Sequence, residues 1–506
     1  MQKQGKVYLI GAGPGDPGLI TINAVKCLNS ADVIVYDYLV NTKLLDHRKH
    51  NSEVIYVGKK SGHKELSQEK INKLLIKHAK NGKTVARLKG GDPFIFGRGA
   101  EEAIELNNNN IDFDIIPGVS SFYAVPEYAG IPPTHRNVSS TIAVITGHED
   151  PSKNRSNIPW ASLSKISTVI FLMGIRNLSE IVKKLLKNSK SPNTPIAIIT
   201  WGTYPNQKTI TGNLENIIKK SQEAQIESPG IIIVGKVVKY REQIQWFEKR
   251  PLYGKKILTT RPSSQSKFFV EKLNNLGAET IEFPTIEISA PSSWNKLDKS
   301  LKQLKTTDWI IFTSANGVNY FFKRLFNKKL SIKSLLHIKF AVIGEKTNEI
   351  LTQYGISADL VPKEYRAEGL IEQFKSIDLI GKNILIPRAK EARNILPKML
   401  KRLGANVDVI TVYENKVPGS LKSTKLISEI KKAAPDVITF TSPSTVNNFY
   451  SVFKIDEKSF SNSIIASIGP VTNQALNNHG LEADITPKKY TTDSLIQEIL
   501  KYFKKY

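Results

Sequence analysis

The sequence predicts an α/β protein of two successive domains, each divided into two lobes. Two apolar strands of the N-terminal half, VYLIG and TVARLK, each run directly into a glycine-rich turn. The C-terminal half instead repeats itself over long stretches. Between them lies KYREQIQWFEKRPLYGKK, residues 239–256, which is polar, charged and broken by Pro251 and Gly254. That composition predicts an exposed boundary between separately folding halves. A chain of 506 residues has length for three or four lobes, each with its own core.

In the N-terminal half, VYLIG leads into GAGPGDPGLIT (Gly11 to Thr21), a helical pattern AVKCLNSA, and a second strand DVIVYD that ends at Asp37. The turn invites a dinucleotide-binding reading, and the residues argue against it. A Rossmann fingerprint requires glycine or alanine where the helix packs on the strand. This chain has Asp16 there, and Pro14 and Pro17 delay the helix. TVARLK is followed by Gly90, Gly91, Asp92, Pro93, an apolar shelf from Phe94 to Phe96, and a second glycine pair flanking Arg98. Glycines at a strand end let backbone groups approach a ligand with no Cβ in the way. Asp92 can then hold a hydroxyl or an ammonium group, so the run reads as a small-molecule pocket.

The second half is an internal duplication. DWIIFTSANGVNYFF (308–322) recurs as DVITFTSPSTVNNFY (436–450), and residues 340–365 recur as 465–490. More weakly, 255–287 recurs as 382–414. Each unit alternates short β-branched strands with helical patterns, which predicts βαβ units and parallel sheets. A repeat this long is not a solenoid; it predicts two similar lobes. Ligands bind outside the carboxyl ends of parallel strands. The FTS signatures at 312–314 and 440–442 place hydroxyls and helix N-termini there, where anions are attracted. Helix capping alone also accounts for Ser and Thr at these positions.

Lys and Arg number 72 against 46 Asp and Glu, a formal net charge of +26. Such a charge attracts polyanions, but no basic block is interleaved with aromatics and no nucleic-acid-binding motif appears. Cys27 stands alone in a helical pattern with Ile20, Ala24 and Ala31, which predicts a core position and no disulfide. No Cys or His cluster has metal-ligand spacing, so no metal is expected. No apolar run approaches a membrane span and no signal-peptide pattern opens the chain, which predicts a cytoplasmic protein without a membrane partner.

The motifs GAGPGDPGLIT, YDYLV (36–40), VGK (57–59), RLKGGDPFIFGRGAEE (87–102), PGVSS (117–121), IPPTHR (131–136), MG (173–174) and WGT (201–203), in this order, closely resemble the uroporphyrinogen-III C-methyltransferases over about residues 5–245. TRP (260–262), the FTS pair, GEKT (344–347), VYENK (412–416) and IGPVT (468–472) resemble uroporphyrinogen-III synthase over about 254–503. The resemblance implies a bifunctional tetrapyrrole enzyme with domains 1–248 and 254–506. The first would have lobes at about 1–116 and 117–245. The second would combine 255–287 with 419–506 as one lobe and 293–413 as the other, with linkers near 288–292 and 414–419.

That resemblance implies S-adenosylmethionine as co-substrate, contacted by Pro14, Gly90, Gly91, Asp92, Ile95, Ser120, Ser121, Met173 and Gly202. It nominates Asp37 as proton acceptor and Lys59 as proton donor, with Arg98 as a substrate clamp or an alternative base. A guanidinium stays protonated, which favours the clamp. Asp37 also fits a strand-end cap. In the synthase, Tyr413 matches the family's tyrosine and would assist loss of water from the linear substrate, although a packed strand aromatic fits it equally. Thr347, Ser442 and Thr472 match residues that would bind substrate carboxylates. The implied reactions are closure of hydroxymethylbilane to uroporphyrinogen III with inversion of ring D, and two methylations giving precorrin-2. A methyltransferase of a later precorrin in cobalamin synthesis is the alternative. The partners implied are polycarboxylate tetrapyrroles and a second copy of the chain, joined through the methyltransferase half.

Overall fold

The structure, a computed structural model, describes residues 5–58, 66–147, 157–364, 366–391, 394–453 and 460–504. The chain divides into two compact units, Met1–Lys255 with Leu273–Glu279, and Lys256–Lys272 with Thr280–Tyr506.

The first unit has two sheets. Strands β1 (Lys6–Gly11), β2 (Val33–Tyr36), β3 (Glu53–Tyr56), β4 (Val85–Lys89) and β5 (Asp112–Ile116) form a parallel sheet in the order β3-β2-β4-β1-β5. Parallel neighbours need crossovers, and helices 22–30, 68–80 and 99–108 supply three of them. Helix 68–80 shows why its residues form one. Ser67 accepts from Lys70 N at the start, Ile71, Leu75 and Ala79 fall on one buried face, and Lys77 and Lys80 lie in the last turn. Acceptor at the front, apolar stripe, cations at the back: each choice agrees with helix geometry and dipole. Cys27 is buried beside Ala24 and Leu28, and burial raises its thiol pKa.

Strands β6 (Ile142–Thr146), β7 (Thr168–Leu172), β8 (Pro195–Thr200), β9 (Lys208–Asn213) and β10 (Gly230–Val234) form a mixed sheet in the order β6-β7-β10-β8-β9, with only β6 and β7 parallel. Side chains alternate between two cores. Phe171, Ile196, Ile198 and Ile232 enter one, while Ile170, Ala197, Ile199 and Ile231 enter the other beside Val125. Covering both faces explains why these strands read as continuous apolar runs.

The stretch 239–256 is not a solvated linker. Phe247 and Leu252 are fully buried, and Tyr253 donates from its hydroxyl to the Gln207 carbonyl. Glu248 is the reason for its charge. Its carboxylate accepts from Arg241 Nη2 at 2.5 Å, Gln207 Nε2 at 2.9 Å and Thr209 Oγ1 at 2.6 Å. A charged segment thereby becomes part of the first unit's interior.

The second unit carries the duplication into three dimensions. Strands β11 (Lys256–Thr259), β12 (Glu279–Glu282), β13 (Glu287–Ser289), β14 (Trp309–Phe312), β15 (Lys339–Val342), β16 (Asn383–Ala389), β17 (Asn406–Lys416), β18 (Val437–Phe440) and β19 (Ile464–Ser467) make two sheets. Their orders are β12-β11-β18-β19 and β13-β17-β16-β14-β15. Repeat-equivalent strands occupy equivalent places in the two. The expected coil linkers 288–292 and 414–419 are instead partly a ladder: β13 pairs antiparallel with the end of β17, Ile288 opposite Asn415. Two chain crossings side by side satisfy each other's backbone groups. No helix among the described residues is long and apolar enough to cross a membrane.

Candidate active site

In the first unit the turns after β1, β4 and β5 meet at the carboxyl edge of the parallel sheet. Gly13 and Gly91 exchange backbone hydrogen bonds at 3.1 and 2.7 Å, and both have positive φ, +78° and +69°. A Cβ on Gly11 would lie 2.5 Å from Gly118 Cα, so these turns close only on glycine. Asp16, which breaks the dinucleotide fingerprint, holds the turn: it accepts from Gly18 N at 2.8 Å and from the Tyr128 hydroxyl at 2.9 Å.

Two adjoining cavities open there. The smaller, about 350 Å³, is lined by Pro14, Gly90, Gly91, Ser121, Met173 and Gly202 among others. The larger, about 850 Å³, takes in Asp37, Asp92, Ile95, Ser120 and Arg98. Leu39, Gly90, Gly91, Ser121, Leu172 and Met173 border both. The structure therefore brings together every residue expected to contact the co-substrate. The larger cavity is within the size of ordinary small-molecule sites. Sequence reading missed Arg176, Tyr204 and the Ser228–Gly230 turn on the smaller cavity's wall. The Pro-Gly pair at 229–230 was the available signal.

Backbone strain gathers around this cleft. Phe96, Arg98, Met173, Trp201 and Thr203 all have φ between +49° and +69°. Non-glycine residues in this region are uncommon and cluster at functional sites.

Polar groups lie under the larger cavity. Glu102 is fully buried, and its Oε1 accepts from Lys89 Nζ at 2.9 Å, Gln68 Nε2 at 3.0 Å and Arg87 Nε at 3.1 Å. Arg87 also reaches Asp37 Oδ2 through Nη2 at 3.3 Å. Burial, reinforced by the neighbouring Arg87, pulls the Lys89 pKa down despite Glu102. Two cations on one carboxylate leave positive charge behind Asp37, which is itself partly exposed to the cavity. Lys59, its expected proton-donating partner, lies outside the described residues.

Asp92, which lines the larger cavity, also accepts from three backbone groups. Its Oδ1 accepts from Phe94 N at 2.8 Å and Ile95 N at 3.2 Å, and its Oδ2 from Gly118 N at 3.1 Å. The carboxylate ties the glycine turn to the start of the next segment. Arg98 pairs in bidentate fashion with Glu101, at 2.9 and 2.7 Å, and is more than half exposed. The pair raises the Arg98 pKa, its hydrogen bond with Glu101 being the main cause. An exposed ion pair is weak enough to exchange Glu101 for a substrate carboxylate.

In the second unit the Tyr413 hydroxyl lies 3.0 Å from Ser314 Oγ, its ring stacks on Tyr320 at 5.9 Å, and burial pushes the phenol pKa up. It is both a packed strand aromatic and a phenol whose oxygen meets a strand-end serine. Ser442 caps the helix that follows, accepting from Thr445 N at 3.4 Å. Thr347 and Thr472 stand in the first turns of helices 345–353 and 470–477, almost wholly buried.

Residues 6–218 match the family of tetrapyrrole (corrin/porphyrin) methylases, and residues 267–497 match uroporphyrinogen-III synthase HemD. The chain is 37% identical to the porphyrin biosynthesis protein HemD of Ruminiclostridium josui, across 99% of this chain and 98% of that protein. It is 51% identical to the uroporphyrinogen-III C-methyltransferase of Methanocaldococcus jannaschii over 46% of this chain and 97% of the relative. It is 47% identical to the S-adenosyl-L-methionine-dependent uroporphyrinogen III methyltransferase of Methanosarcina barkeri, over 46% of this chain and 92% of the relative. With both matches on one polypeptide and a relative similar from end to end, the chain belongs to the tetrapyrrole-biosynthesis enzymes that fuse a tetrapyrrole methylase to a uroporphyrinogen-III synthase.

Proposed function

We propose that the C-terminal domain, residues 254–506, closes hydroxymethylbilane to uroporphyrinogen III with inversion of ring D. The N-terminal domain, residues 1–248, then methylates that product twice with S-adenosylmethionine to give precorrin-2. The observation that carries the methylation reading is the glycine cradle of the smaller cavity opening beside Asp37 in the larger one. The residues fit the co-substrate. Gly91 has room where a Cβ would sit, with only Ser121 N at 3.9 Å, and at φ +69° it exposes backbone to the cavity. The names of the two archaeal relatives point to the same substrate and methyl donor.

S-adenosylmethionine supplies an electrophilic methyl group and departs neutral, so no strong acid is needed for it. The chain's share is geometry first. The turns at Gly13, Gly90 and Gly91 hold the donor, and the apolar shelf with Met173 faces the macrocycle; such positioning accounts for most of a bimolecular acceleration. Each methylation also leaves the macrocycle with a proton to lose, from a site other than the methylated carbon. Asp37 accepts it, and Arg87 keeps its carboxylate oriented. Arg98 releases Glu101 to grip a substrate carboxylate. In the other domain the pyrrole nitrogen drives loss of water, and Tyr413 assists as a weak acid while both lobes shape the bilane.

The test is incubation of the purified chain with hydroxymethylbilane and S-adenosylmethionine, followed by mass and absorbance analysis. Uroporphyrinogen III and its dimethylated product are expected. Only unmethylated uroporphyrinogen I, the spontaneous product, would sink the reading. The implied homodimer belongs to the same proposal and is read by light scattering of the intact chain.

A further inference from the structure

We propose that Glu248 is a positioning residue for the co-substrate pocket: through the Gln207 amide it sets the turn Trp201–Tyr204 that walls the smaller cavity. The inference rests on the methylation reading above and gives a task to a segment, 239–256, whose composition predicts only a boundary.

The turn needs an outside hold. It follows β8, and Trp201, Gly202 and Tyr204 line the smaller cavity. Trp201 and Thr203 stand at φ +49° and +69°. Residues other than glycine seldom adopt that region, and they keep it only where the surroundings impose it. Thr203 is almost wholly buried and ties two walls together. Its Oγ1 accepts from Asp16 N at 2.9 Å, in the turn that brings Gly13 and Pro14 to the same cavity. Its N–H donates to Gln207 Oε1 at 2.9 Å. Where the Gln207 amide points therefore decides whether Thr203 N has an acceptor. Gln207 is as buried as Thr203, and an unmet donor there is costly.

A glutamine amide can face either way, and Glu248 decides which. An ionised carboxylate accepts and cannot donate. Glu248 Oε1 receives Gln207 Nε2 at 2.9 Å, which leaves the Gln207 carbonyl oxygen for Thr203 N. Thr209 Oγ1 donates to the same carboxylate oxygen at 2.6 Å, and Arg241 Nη2 to the other at 2.5 Å, so Glu248 is itself held from several sides. Tyr253 adds a bond to the Gln207 main-chain carbonyl. None of these groups reaches the cavity. They act on it through a strained turn, which is how a segment distant from the chemistry can govern the fit of a ligand.

The test uses the full chain and measures the KM for S-adenosylmethionine with uroporphyrinogen III saturating. Calorimetry adds the Kd for S-adenosylhomocysteine. Glu248→Gln keeps the shape of the side chain. Arg241 requires an oxygen, so the new NH2 falls on Gln207, reverses its amide and takes the acceptor from Thr203 N. Both constants should rise about 10-fold, the scale of one hydrogen bond lost from a pocket wall. The kcat and the KM for uroporphyrinogen III should stay within about threefold of the parent. In the double variant Glu248→Gln with Gln207→Glu, the carboxylate moved to position 207 accepts from both Thr203 N and the new amide. Both constants should then return to within about threefold of the parent, a repair that a general loss of packing would not show. Glu242→Gln, at an exposed carboxylate of the same segment, should change neither. Unchanged constants in Glu248→Gln, a fall in kcat alone, a rise that the double variant does not repair, or an equal rise in Glu242→Gln overturns the proposal. Should Glu248→Gln lose its fold, shown by fast hydrogen exchange across 195–213, the double variant decides: parent-like constants support the proposal, and raised constants or a lost fold overturn it. Failure of the parent chain to methylate supplied uroporphyrinogen III would instead remove the methylation reading itself.

Discussion

The two lobes of the second unit, descended from one repeat, agree in scaffold and part company in chemistry. Equivalent aspartates staple equivalent strands: Asp436 Oδ2 accepts from Lys256 N at 2.7 Å, and Asp308 Oδ2 from Asn383 N at 2.8 Å. Asp484 and Asp359 accept from Ile465 N and Phe340 N, both at 2.7 Å. Even changed side chains keep their contacts. Tyr354 donates to Asn319, and His479 meets Asn447 in the same place. Tyr413, by contrast, aligns with Ile286, and Arg324 with Val452. What both lobes keep is the framework; what one lobe alone has is a tyrosine at the end of its long strand and the Arg324–Asp298 ion pair.

The sharpest break in this equivalence is packing. Phe322 is fully buried and stacks on Tyr354 at 4.3 Å, whereas its counterpart Tyr450 is half-buried and lies 5.0 Å from His479. Burial pushes the Tyr450 phenol up to about 12, so the group stays neutral in the fold. Phe322→Ala should cost about 3–5 kcal/mol, in the range of aromatic truncations in cores, and Tyr450→Ala clearly less. Hydrogen exchange should report opening of 309–327 in the first variant and 437–453 in the second. Equal costs, or both lobes opening together in either variant, would mean that the lobes share one core.

Tyr413→Phe tests the chemical asymmetry. Positioned general acids contribute about 10²–10⁴-fold, and the pyrrole already drives loss of water, so a loss of about 100-fold or less in synthase kcat is expected. Methylation of supplied uroporphyrinogen III should not change. Unaltered synthase turnover would return Tyr413 to the packed aromatic that its stack on Tyr320 also describes.

How much of this was legible depended on whether the demand was local. Gly91 and Gly13 could be read because a strand-end turn with positive φ excludes other residues. The paired FTS serines could be read because capping chemistry follows sequence order. Glu102 could not: in GRGAEE it looks like a solvated helix charge, and only its packing on β4 buries it between Arg87 and Lys89. The segment 239–256 misled by composition, because Glu248 is polar yet almost wholly enclosed. Sequence periodicity reports on faces; it does not report on what another segment brings to that face.

The ion pair of one lobe gives a pH test. Asp298 receives Arg324 at 2.7 and 2.6 Å and Lys328 at 2.9 Å, and these bonds, Arg324 first, hold its carboxyl at about 2 against an ordinary 3.8. A depressed carboxylate stabilises the fold above the unfolded value and loses that contribution as pH falls through the folded one. The lobe 293–413 should therefore weaken between about pH 4 and pH 2 by about 1–2 kcal/mol. Val452 denies the other lobe this pair. Asp298→Asn should remove the lobe's extra acid sensitivity; an identical acid profile in that variant would show that other carboxylates set it.

The smallest expected effect separates two serines that the repeat makes equivalent. Ser442 Oγ accepts from Thr445 N, and the Thr445 hydroxyl returns a bond to the Ser442 carbonyl at 2.7 Å, a closed local cap. Ser314 Oγ caps Gly317 N at 3.1 Å and also meets the Tyr413 hydroxyl. Removing either cap costs about 1 kcal/mol, so Ser442→Ala and Ser314→Ala should lower local stability similarly, read as faster exchange at their helix starts. Only Ser314→Ala also loses a partner of the phenol, and it alone should lower synthase kcat, by a few-fold, with KM unchanged. If both variants slow turnover alike, the serines act through carboxylate binding on both lobes, and the chemistry is more symmetric than Tyr413 makes it look.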